Sequence, residues 1–334
     1  MEESQLEVDY CEEKYSYRGF LGYTVDVDVH VGVTVRARGR PLVSSDGSLD
    51  STGIMLWPAS HLLCQYFVSC ASLPAEDKMK IPMAHFFCKP KVTMLEMGCG
   101  CGISSVVAAA TNCASYIICT DTDPDALALC QKNLSSFLIK NSGEQKKSAQ
   151  EKVHIRSERL AWGNLEEMDC ILSSLPSGNE ETSRFFFDIV IGADIVYPST
   201  SGPTLNLLLQ SVKHMLNPIE GVFFLSFISR DGFRSSLRLI QSCNDNGFKI
   251  DLIDQSSFFP PLLSDLPPLM GAKLLCLRPC SKTEAIKKNE SLGVDDCTIF
   301  PGIKTAQLHS LEDTSEEEWD APPVTEDDKE YMQL

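Results

Sequence analysis

The feature that most constrains this chain is a short apolar run that leads directly into three closely spaced glycines. Residues 94–105 read MLEMGCGCGISS, which places Gly98, Gly100 and Gly102 between an apolar run and a segment of small residues. Glycine permits a tight turn and a close approach of the backbone to a ligand. The free N–H groups of a helix that begins after such a turn can hold a phosphate or a carboxylate. The segment therefore predicts a strand, a ligand-binding turn and a helix.

The chain around this segment alternates between strand and helix patterns. Short apolar runs predict strands, and apolar residues at helical spacing predict helices. The predicted strands cover residues 92–97, 116–120, 153–159, 185–192, 222–229, 249–253 and 272–277, and the predicted helices cover 102–111, 124–140, 204–216 and 233–246. Alternation of this kind predicts an α/β fold, with helices on both faces of a mostly parallel sheet. The last two strands are expected to form an antiparallel hairpin at one edge.

An N-terminal extension is expected to pack on this core. Residues 23–35 alternate strictly between apolar and polar side chains, which predicts a strand with one buried face. Residues 59–71 have the apolar spacing of a helix. We therefore expect a strand and helix extension over residues 1–90 and a core over residues 91–280. The polar segment at 168–183 is interpreted as an added loop.

The acidic balance of the chain limits its partners. The formal net charge is -17, and residues 311–334 contain ten Asp or Glu and one Lys. We expect residues 281–334 to be a disordered acidic tail that is able to contact a basic partner, although a purely solubilising role is the alternative. An acidic protein is repelled by phosphate backbones and anionic lipids, so neither nucleic acid nor a membrane is expected as a partner.

The number and spacing of the cysteines indicate a reducing cellular compartment. The chain has 14 cysteines, and no two of them have the C-x-x-C spacing of a zinc knuckle. They are interpreted as reduced, mostly buried thiols, and no metal site is expected. The first ten residues lack the apolar segment of a signal peptide, and no apolar run reaches membrane-spanning length. We therefore expect a cytoplasmic protein, with the nucleus as a second location.

One acidic residue indicates a nucleoside ligand, and a second indicates which one. Asp121 follows the strand at 116–120, where a carboxylate can accept hydrogen bonds from both ribose hydroxyls. Glu96 stands two residues before Gly98, where it would repel a pyrophosphate but suits a ligand with an amino group and a sulfonium, such as S-adenosylmethionine. The dinucleotide pattern G-x-G-x-x-G is also incomplete, because Ile103 stands at its last position. Methyl transfer is therefore favoured over hydride transfer.

Two later segments place further side chains at the same edge of the sheet. Ala161 and Trp162 follow the third strand of the core, near the expected adenine position, where an aromatic ring can cover the base. Ala193, Asp194 and Tyr197 lie at the end of the fourth strand, and ligands of open α/β sheets bind at such carboxyl ends. A tryptophan of the core, a loop acid and a packed tyrosine are the alternative interpretations of these residues.

Taken together, these motifs resemble those of the seven-β-strand protein methyltransferases, a mainly lysine-modifying family marked by Asp-x-x-Tyr after the fourth strand. The matching segments are TGIMLWPAS, LEMGCGCG, RLAWG and ADIVYP, and the resemblance covers about residues 20–280. It implies a Rossmann-like seven-stranded fold that binds S-adenosylmethionine. The residues assigned to the cofactor are Trp57, Glu96, Gly98, Gly100, Gly102, Asp121, Ala161, Trp162 and Ala193. Asp194 and Tyr197 are assigned to the acceptor side.

The resemblance implies an N-methyltransferase that modifies a lysine of a protein substrate. A small-molecule N-methyltransferase stays open as an alternative, because its core would look the same. So does a non-catalytic partner protein that keeps the fold. Methylation of nucleic-acid bases is disfavoured, because Ile195 and Val196 stand where enzymes of that kind carry two prolines. Cys99 and Cys101 depart from the small residues that usually separate the glycines.

Overall fold

The computed structural model describes residues 7–36, 52–74, 76–142, 153–176, 186–231, 234–260 and 271–294. The acidic segment 311–334, on which the predicted tail rests, lies outside the described residues. A two-stranded antiparallel hairpin comes first, formed by β1 (Glu7–Arg18) and β2 (Thr24–Arg36). The strands that follow are β3 (Thr93–Met97), β4 (Tyr116–Asp121), β5 (His154–Arg159), β6 (Ile189–Ala193), β7 (Val222–Ile228), β8 (Phe248–Ile253) and β9 (Ala272–Pro279).

Seven strands form the central sheet, in the spatial order β5-β4-β3-β6-β7-β9-β8. The first five of these are parallel, and β9 runs antiparallel to both β7 and β8. The strand order reverses between β3 and β6, so that the carboxyl ends of these two strands flank a crevice of the kind in which α/β proteins bind ligands. The predicted α/β fold, with a mostly parallel sheet and an antiparallel edge hairpin, is confirmed.

Helices cover both faces of the sheet. Their bounds are α1 (Pro58–Ser72), α2 (Ile103–Ala110), α3 (Pro124–Ser142), α4 (Leu165–Ser173), α5 (Gly202–Met215), α6 (Arg234–Asn246) and α7 (Lys282–Val294). The buried residues of α1, α2 and α3 form one hydrophobic cluster with the hairpin, and those of α4, α5 and α6 form a second cluster on the opposite face. Because the sheet is covered on both faces, the sequence of β6 is a continuous run of apolar residues.

The hairpin is longer than the sequence predicts, because β1 has no clear apolar alternation. The buried side chains of β2 include Val25, Val27, Val29 and Val31, whereas Cys11, Glu13 and Tyr15 of β1 are only partly buried. The register pairs Tyr17 with Val25, and both side chains are buried in the first cluster. The strand β1 therefore forms because β2 offers it a partner, and its own pattern is too weak to show this.

Two helices occupy parts of segments that were expected to lack structure. The segment interpreted as a loop at 168–183 begins inside α4, whose Asn164 cap accepts a hydrogen bond from the Glu167 N–H over 3.2 Å. The second helix is α7, which occupies the first residues of the predicted tail. Asn289 of α7 is buried and accepts a hydrogen bond from the Ile250 N–H over 3.0 Å, which attaches this helix to β8.

No helix in the described part of the chain has the length and the apolar character that are needed to cross a membrane.

Candidate functional site

The glycine loop joins β3 to α2 in a conformation that requires glycine. Gly98, Gly100 and Gly102 have φ values of 62°, 51° and 78°, in the left-handed region that other residues adopt only with strain. A Cβ atom on Gly98 would lie 2.7 Å from Cγ2 of Ile195, and one on Gly100 would lie 2.6 Å from the carbonyl oxygen of Gly53. Backbone conformation and close packing thus both exclude side chains at these positions.

Asp121 ends β4, and its carboxylate is held against the glycine loop. Its Oδ2 accepts a hydrogen bond from the Gly100 N–H over 3.0 Å. Its Oδ1 accepts hydrogen bonds from the N–H groups of Thr122 and Asp123, over 2.8 and 3.1 Å. Because a carboxylate has about four lone-pair sites and these bonds occupy three of them, Oδ2 retains capacity to accept a hydrogen bond from a ligand.

Glu96 lies in β3, two residues before Gly98, with only 2% of its surface exposed. The hydroxyl of Ser105, in the first turns of α2, donates a hydrogen bond to its Oε2. Burial raises the pKa of Glu96 to about 7, although hydrogen bonds from Ser105 and Ser104 oppose this. Because this pKa lies close to neutral pH, a nearby cation would shift the carboxyl group towards its charged form.

The segment before α1 covers the glycine loop from one side. The carbonyl of Gly53 packs against Gly100, and a Cβ atom on Gly53 would lie 2.9 Å from that of Ala126 in α3. Trp57 precedes the first residue of α1. The hydroxyl of Ser226 in β7 donates a hydrogen bond to the Ala59 carbonyl over 2.8 Å, which attaches the start of α1 to the sheet.

Ala161 and Trp162 follow β5, and Trp162 lies beside the glycine loop. Trp162 is half-buried, and its Cζ2 lies 3.9 Å from the position of a Cβ atom built on Gly98. The Ala161 N–H donates to Oε2 of Glu167 over 2.7 Å. The Gly163 N–H donates to the Ser211 hydroxyl of α5, also over 2.7 Å. These bonds hold the tryptophan segment beside the loop.

Asp194 follows Ala193 at the end of β6 and is paired with an arginine. Its φ is 55°, and its N–H donates to the Ser226 carbonyl over 2.7 Å. The guanidinium of Arg230, just after β7, donates from Nη1 to Oδ1 over 2.9 Å and from Nη2 to Oδ2 over 2.7 Å. Tyr197 is by contrast exposed, and its N–H donates to the Thr200 hydroxyl over 3.1 Å.

Arg230 and Asn133 are among the residues of this region that sequence reasoning missed. Arg230 stands at the carboxyl end of β7, a position that the strand pattern could have flagged. Asn133 lies within α3, where a polar residue carries no signal of its own. It is 1% exposed, and its amide donates to the carbonyls of Cys101 and His30 over 2.8 and 2.9 Å. It therefore ties the glycine loop to β2.

The two cysteines between the glycines are buried. Burial raises the pKa of the Cys101 thiol to about 12, so this side chain is a neutral thiol at physiological pH. Within the ranges that the structure describes, no three His, Cys, Asp or Glu side chains are arranged as a metal ion would require.

Substitution of Gly100 by alanine is expected to destabilise the protein by at least about 2 kcal/mol, because the new Cβ meets a backbone oxygen and the left-handed conformation adds strain. It should also separate the loop from Asp121 and weaken ligand binding. Urea denaturation and calorimetric titration of the ligand measure the two effects. Gly202→Ala is the matched control, since a Cβ there meets nothing within 4 Å. Equal stabilities of the two variants would contradict this account of the loop.

Comparison with known proteins identifies the family. The profile of the lysine methyltransferase family matches residues 39–232, more than half of the chain. The chain is similar to methyltransferase-like protein 22 of Mus musculus, with 27% identity over 51% of this chain and 45% of that protein. It is also similar to the protein N-terminal and lysine N-methyltransferase efm7 of Aspergillus fumigatus, with 27% identity over 59% of this chain and 62% of that protein.

The chain thus spans about half to three fifths of the length of these curated relatives. Among solved structures, a methyltransferase from Pyrococcus furiosus matches with 14% identity and a TM-score of 0.36, over 58% of this chain and 77% of that chain. A likeness at this level carries no information about activity or substrate. The family match confirms the resemblance drawn from the motifs: the chain belongs to the lysine methyltransferase family.

Proposed function

We propose that this chain is an S-adenosylmethionine-dependent N-methyltransferase whose acceptor is a lysine side chain of a protein. The observation that carries the proposal is the contact between the Asp121 carboxylate and the Gly100 N–H, which joins the carboxyl ends of β4 and β3. It joins a carboxylate suited to ribose hydroxyls to a loop without side chains, which suits close approach of a nucleoside. The lysine methyltransferase profile supports the same activity.

The chemistry of these residues supports the proposed cofactor. Asp121 would accept a hydrogen bond from the ribose, Trp162 would cover the adenine, and Glu96 would face the cationic end of the molecule. Gly102, Ala161 and Ala193 would complete the walls. When bound, S-adenosylmethionine supplies an electrophilic methyl group on a sulfonium.

The acceptor side would be formed by Asp194 and Tyr197. A lysine amine has an ordinary pKa of about 10.4 and must lose a proton before it can attack, and transfer into a partly desolvated crevice lowers its pKa. Asp194 would bind or orient the amine, and Tyr197 would line the entrance. Much of the acceleration would come from alignment of the amine with the methyl group.

The domain boundaries, the partner and the location of the protein belong to the same proposal. Residues 91–280 would form the catalytic core, and the extension before them would supply the covering segment with Trp57. The partner would be a protein, in the cytoplasm and also in the nucleus. Contact of the acidic segment 311–334 with a basic partner stays a prediction.

The test of the proposal is methyl transfer to proteins of the cell of origin. Purified protein is incubated with methyl-labelled S-adenosylmethionine and an extract of those cells, with Asp121→Ala as the control. We expect label in a discrete protein band and on a lysine after digestion, with no label in the control. Label only in small molecules would support the small-molecule alternative. Cofactor binding without any transfer would support a non-catalytic partner role.

Asp194→Ala is expected to reduce kcat/KM for the labelled protein by about 10- to 100-fold, the effect of losing one hydrogen bond to a charged group. Its affinity for S-adenosylmethionine should remain normal. Asp251→Ala is the matched control, because Asp251 pairs with Arg278 over 2.6 Å on β8 and β9, away from the crevice. An unchanged transfer rate in Asp194→Ala would exclude the proposed role of Asp194.

A further inference from the structure

The strongest unexplained feature of the crevice is the position of Arg230. Asp194 follows β6 and Arg230 follows β7, and these parallel strands pair Ala193 with Ser226, which brings the two side chains together. The guanidinium makes two hydrogen bonds with the carboxylate, over 2.9 and 2.7 Å. Its central carbon also lies 5.0 Å from the ring centroid of Trp57. A carboxylate and an aromatic face thus share one cation.

The two members of this pair differ in exposure. The Asp194 side chain is 0% exposed, whereas 29% of the Arg230 side chain is exposed. The guanidinium therefore lies between the carboxylate and the solvent. An incoming cation meets Arg230 first and reaches Asp194 only when Arg230 has moved.

The covered carboxylate borders the proposed cofactor site. Ile195, the next residue in the chain, packs against Gly98 of the glycine loop, with its Cγ2 2.7 Å from a Cβ atom built there. A carboxylate together with an aromatic face is a general receptor for an alkylammonium or a guanidinium. At this place, a lysine ammonium bound by Asp194 and Trp57 would lie next to the glycine loop.

We propose that Asp194 and Trp57 form the subsite for the acceptor's ammonium group and that Arg230 is its internal competitor. This inference rests on the proposed function, because it assigns the acceptor side of that site. The Arg230 guanidinium occupies the subsite until a lysine side chain displaces it. Arg230 is thus a specificity-determining residue: a substrate binds only when its other contacts with the enzyme compensate for breaking the internal ion pair.

The test compares cation binding by the wild type and Arg230→Ala, with n-butylammonium as the analogue of a lysine side chain and ethylguanidinium as the analogue of an arginine side chain. Ligand-detected NMR measures both affinities and does not require methyl transfer. We expect both cations to bind Arg230→Ala at least about tenfold more tightly than the wild type, which is the effect of about 1.4 kcal/mol of removed competition. Addition of Asp194→Ala should abolish this gain.

Arg230→Lys provides a second variant in case the alanine variant folds poorly. Lysine keeps the charge but loses the bidentate pairing, so it is a weaker competitor and the affinity for n-butylammonium should lie between those of the wild type and Arg230→Ala. Arg278→Ala is the matched control, because Arg278 is 34% exposed and pairs with Asp251 over 2.6 Å outside the crevice. It should bind both cations as the wild type does. Equal binding by the wild type and both Arg230 variants would overturn the proposal.

Kinetics with the labelled substrate protein give the second readout. In Arg230→Ala, KM for that protein should fall at least about tenfold by the same removal of competition. Ethylguanidinium should inhibit this variant competitively with the substrate. If kcat instead falls in Arg230→Ala and added ethylguanidinium restores it, the guanidinium is required for methyl transfer, and the proposal is overturned. Tight cation binding by Arg230→Ala without any methyl transfer would leave the subsite intact and refute only the proposed function.

Discussion

Asp121→Ala is expected to lower the affinity for S-adenosylmethionine by at least about tenfold. The proposed contact is a hydrogen bond from a ribose hydroxyl to a charged carboxylate, worth about 1.5–3 kcal/mol, and every 1.4 kcal/mol is a factor of about ten in affinity. The substitution also removes the acceptor of the Gly100 N–H, which holds the glycine loop in place. Isothermal titration calorimetry with S-adenosylmethionine measures the change.

The control for this prediction is the neighbouring carboxylate of Asp123. Its Oδ1 accepts hydrogen bonds from the N–H groups of Asp125 and Ala126, over 2.9 and 3.5 Å, at the start of α3. Asp123→Ala should therefore cost about 1 kcal/mol of stability, as the loss of a helix cap does, with little change in affinity. Equal losses of affinity in the two variants would show that Asp121 has no special role in binding.

Glu96→Gln is expected to stabilise the ligand-free protein at pH 8 by up to about 3 kcal/mol. The pKa of Glu96 is raised from an ordinary value of 4.5 to about 7, with burial as the main cause. Between these two pH values the folded protein retains a proton that the unfolded chain releases. The contribution of Glu96 to stability is therefore complete below pH 4.5, falls as the pH rises, and is lost above about pH 7. Glutamine does not titrate in this pH range, so its contribution to stability does not change.

Urea denaturation at pH 5 and pH 8 measures this effect. The wild type should lose more stability than Glu96→Gln between the two pH values, and the difference between the proteins should be largest at pH 8. An identical pH dependence of the two proteins would contradict a raised pKa at Glu96.

The same substitution should have the opposite effect on ligand binding. A cationic ligand favours the charged form of Glu96, so the affinity of the wild type for S-adenosylmethionine should increase as the pH rises through about 7. Glu96→Gln should bind the cofactor about tenfold more weakly at pH 8, and its affinity should not follow this pH dependence. A wild-type affinity that does not change between pH 6 and pH 8 would exclude contact between Glu96 and the cation.

The parts of the fold that the sequence predicts are those with strong local patterns. The five parallel strands and the helices α1, α2, α3, α5 and α6 follow from apolar runs and helical spacing, since burial imposes these periods directly. The strand β1 is missed because its inward face mixes Glu13 with cysteine and tyrosine. The helix α7 is missed because only a few of its residues, such as Ala285 and Asn289, are buried.

The residues of the candidate site also fall into those that local sequence predicts and those that it does not. The glycine loop and Asp121 can be predicted, because each follows a strand directly and adjacent residues determine the turn. Gly53 and Asn133 could not be placed at the loop, because their contacts depend on how α1, α3 and the hairpin pack around it. Asn133, for example, bonds to His30, which lies 103 residues away in the sequence.

What the sequence determined by itself is the succession along the chain of the seven strands of the central sheet, the glycine turn after β3 and the family, because these depend on neighbouring residues and their burial period. Only the tertiary structure showed that Asp194 is covered by Arg230, 36 residues later in the chain. That pairing exists because β6 and β7 are neighbours in the sheet and end at the same edge. The partner of a buried charge depends on strand order and side-chain direction, which no local pattern encodes.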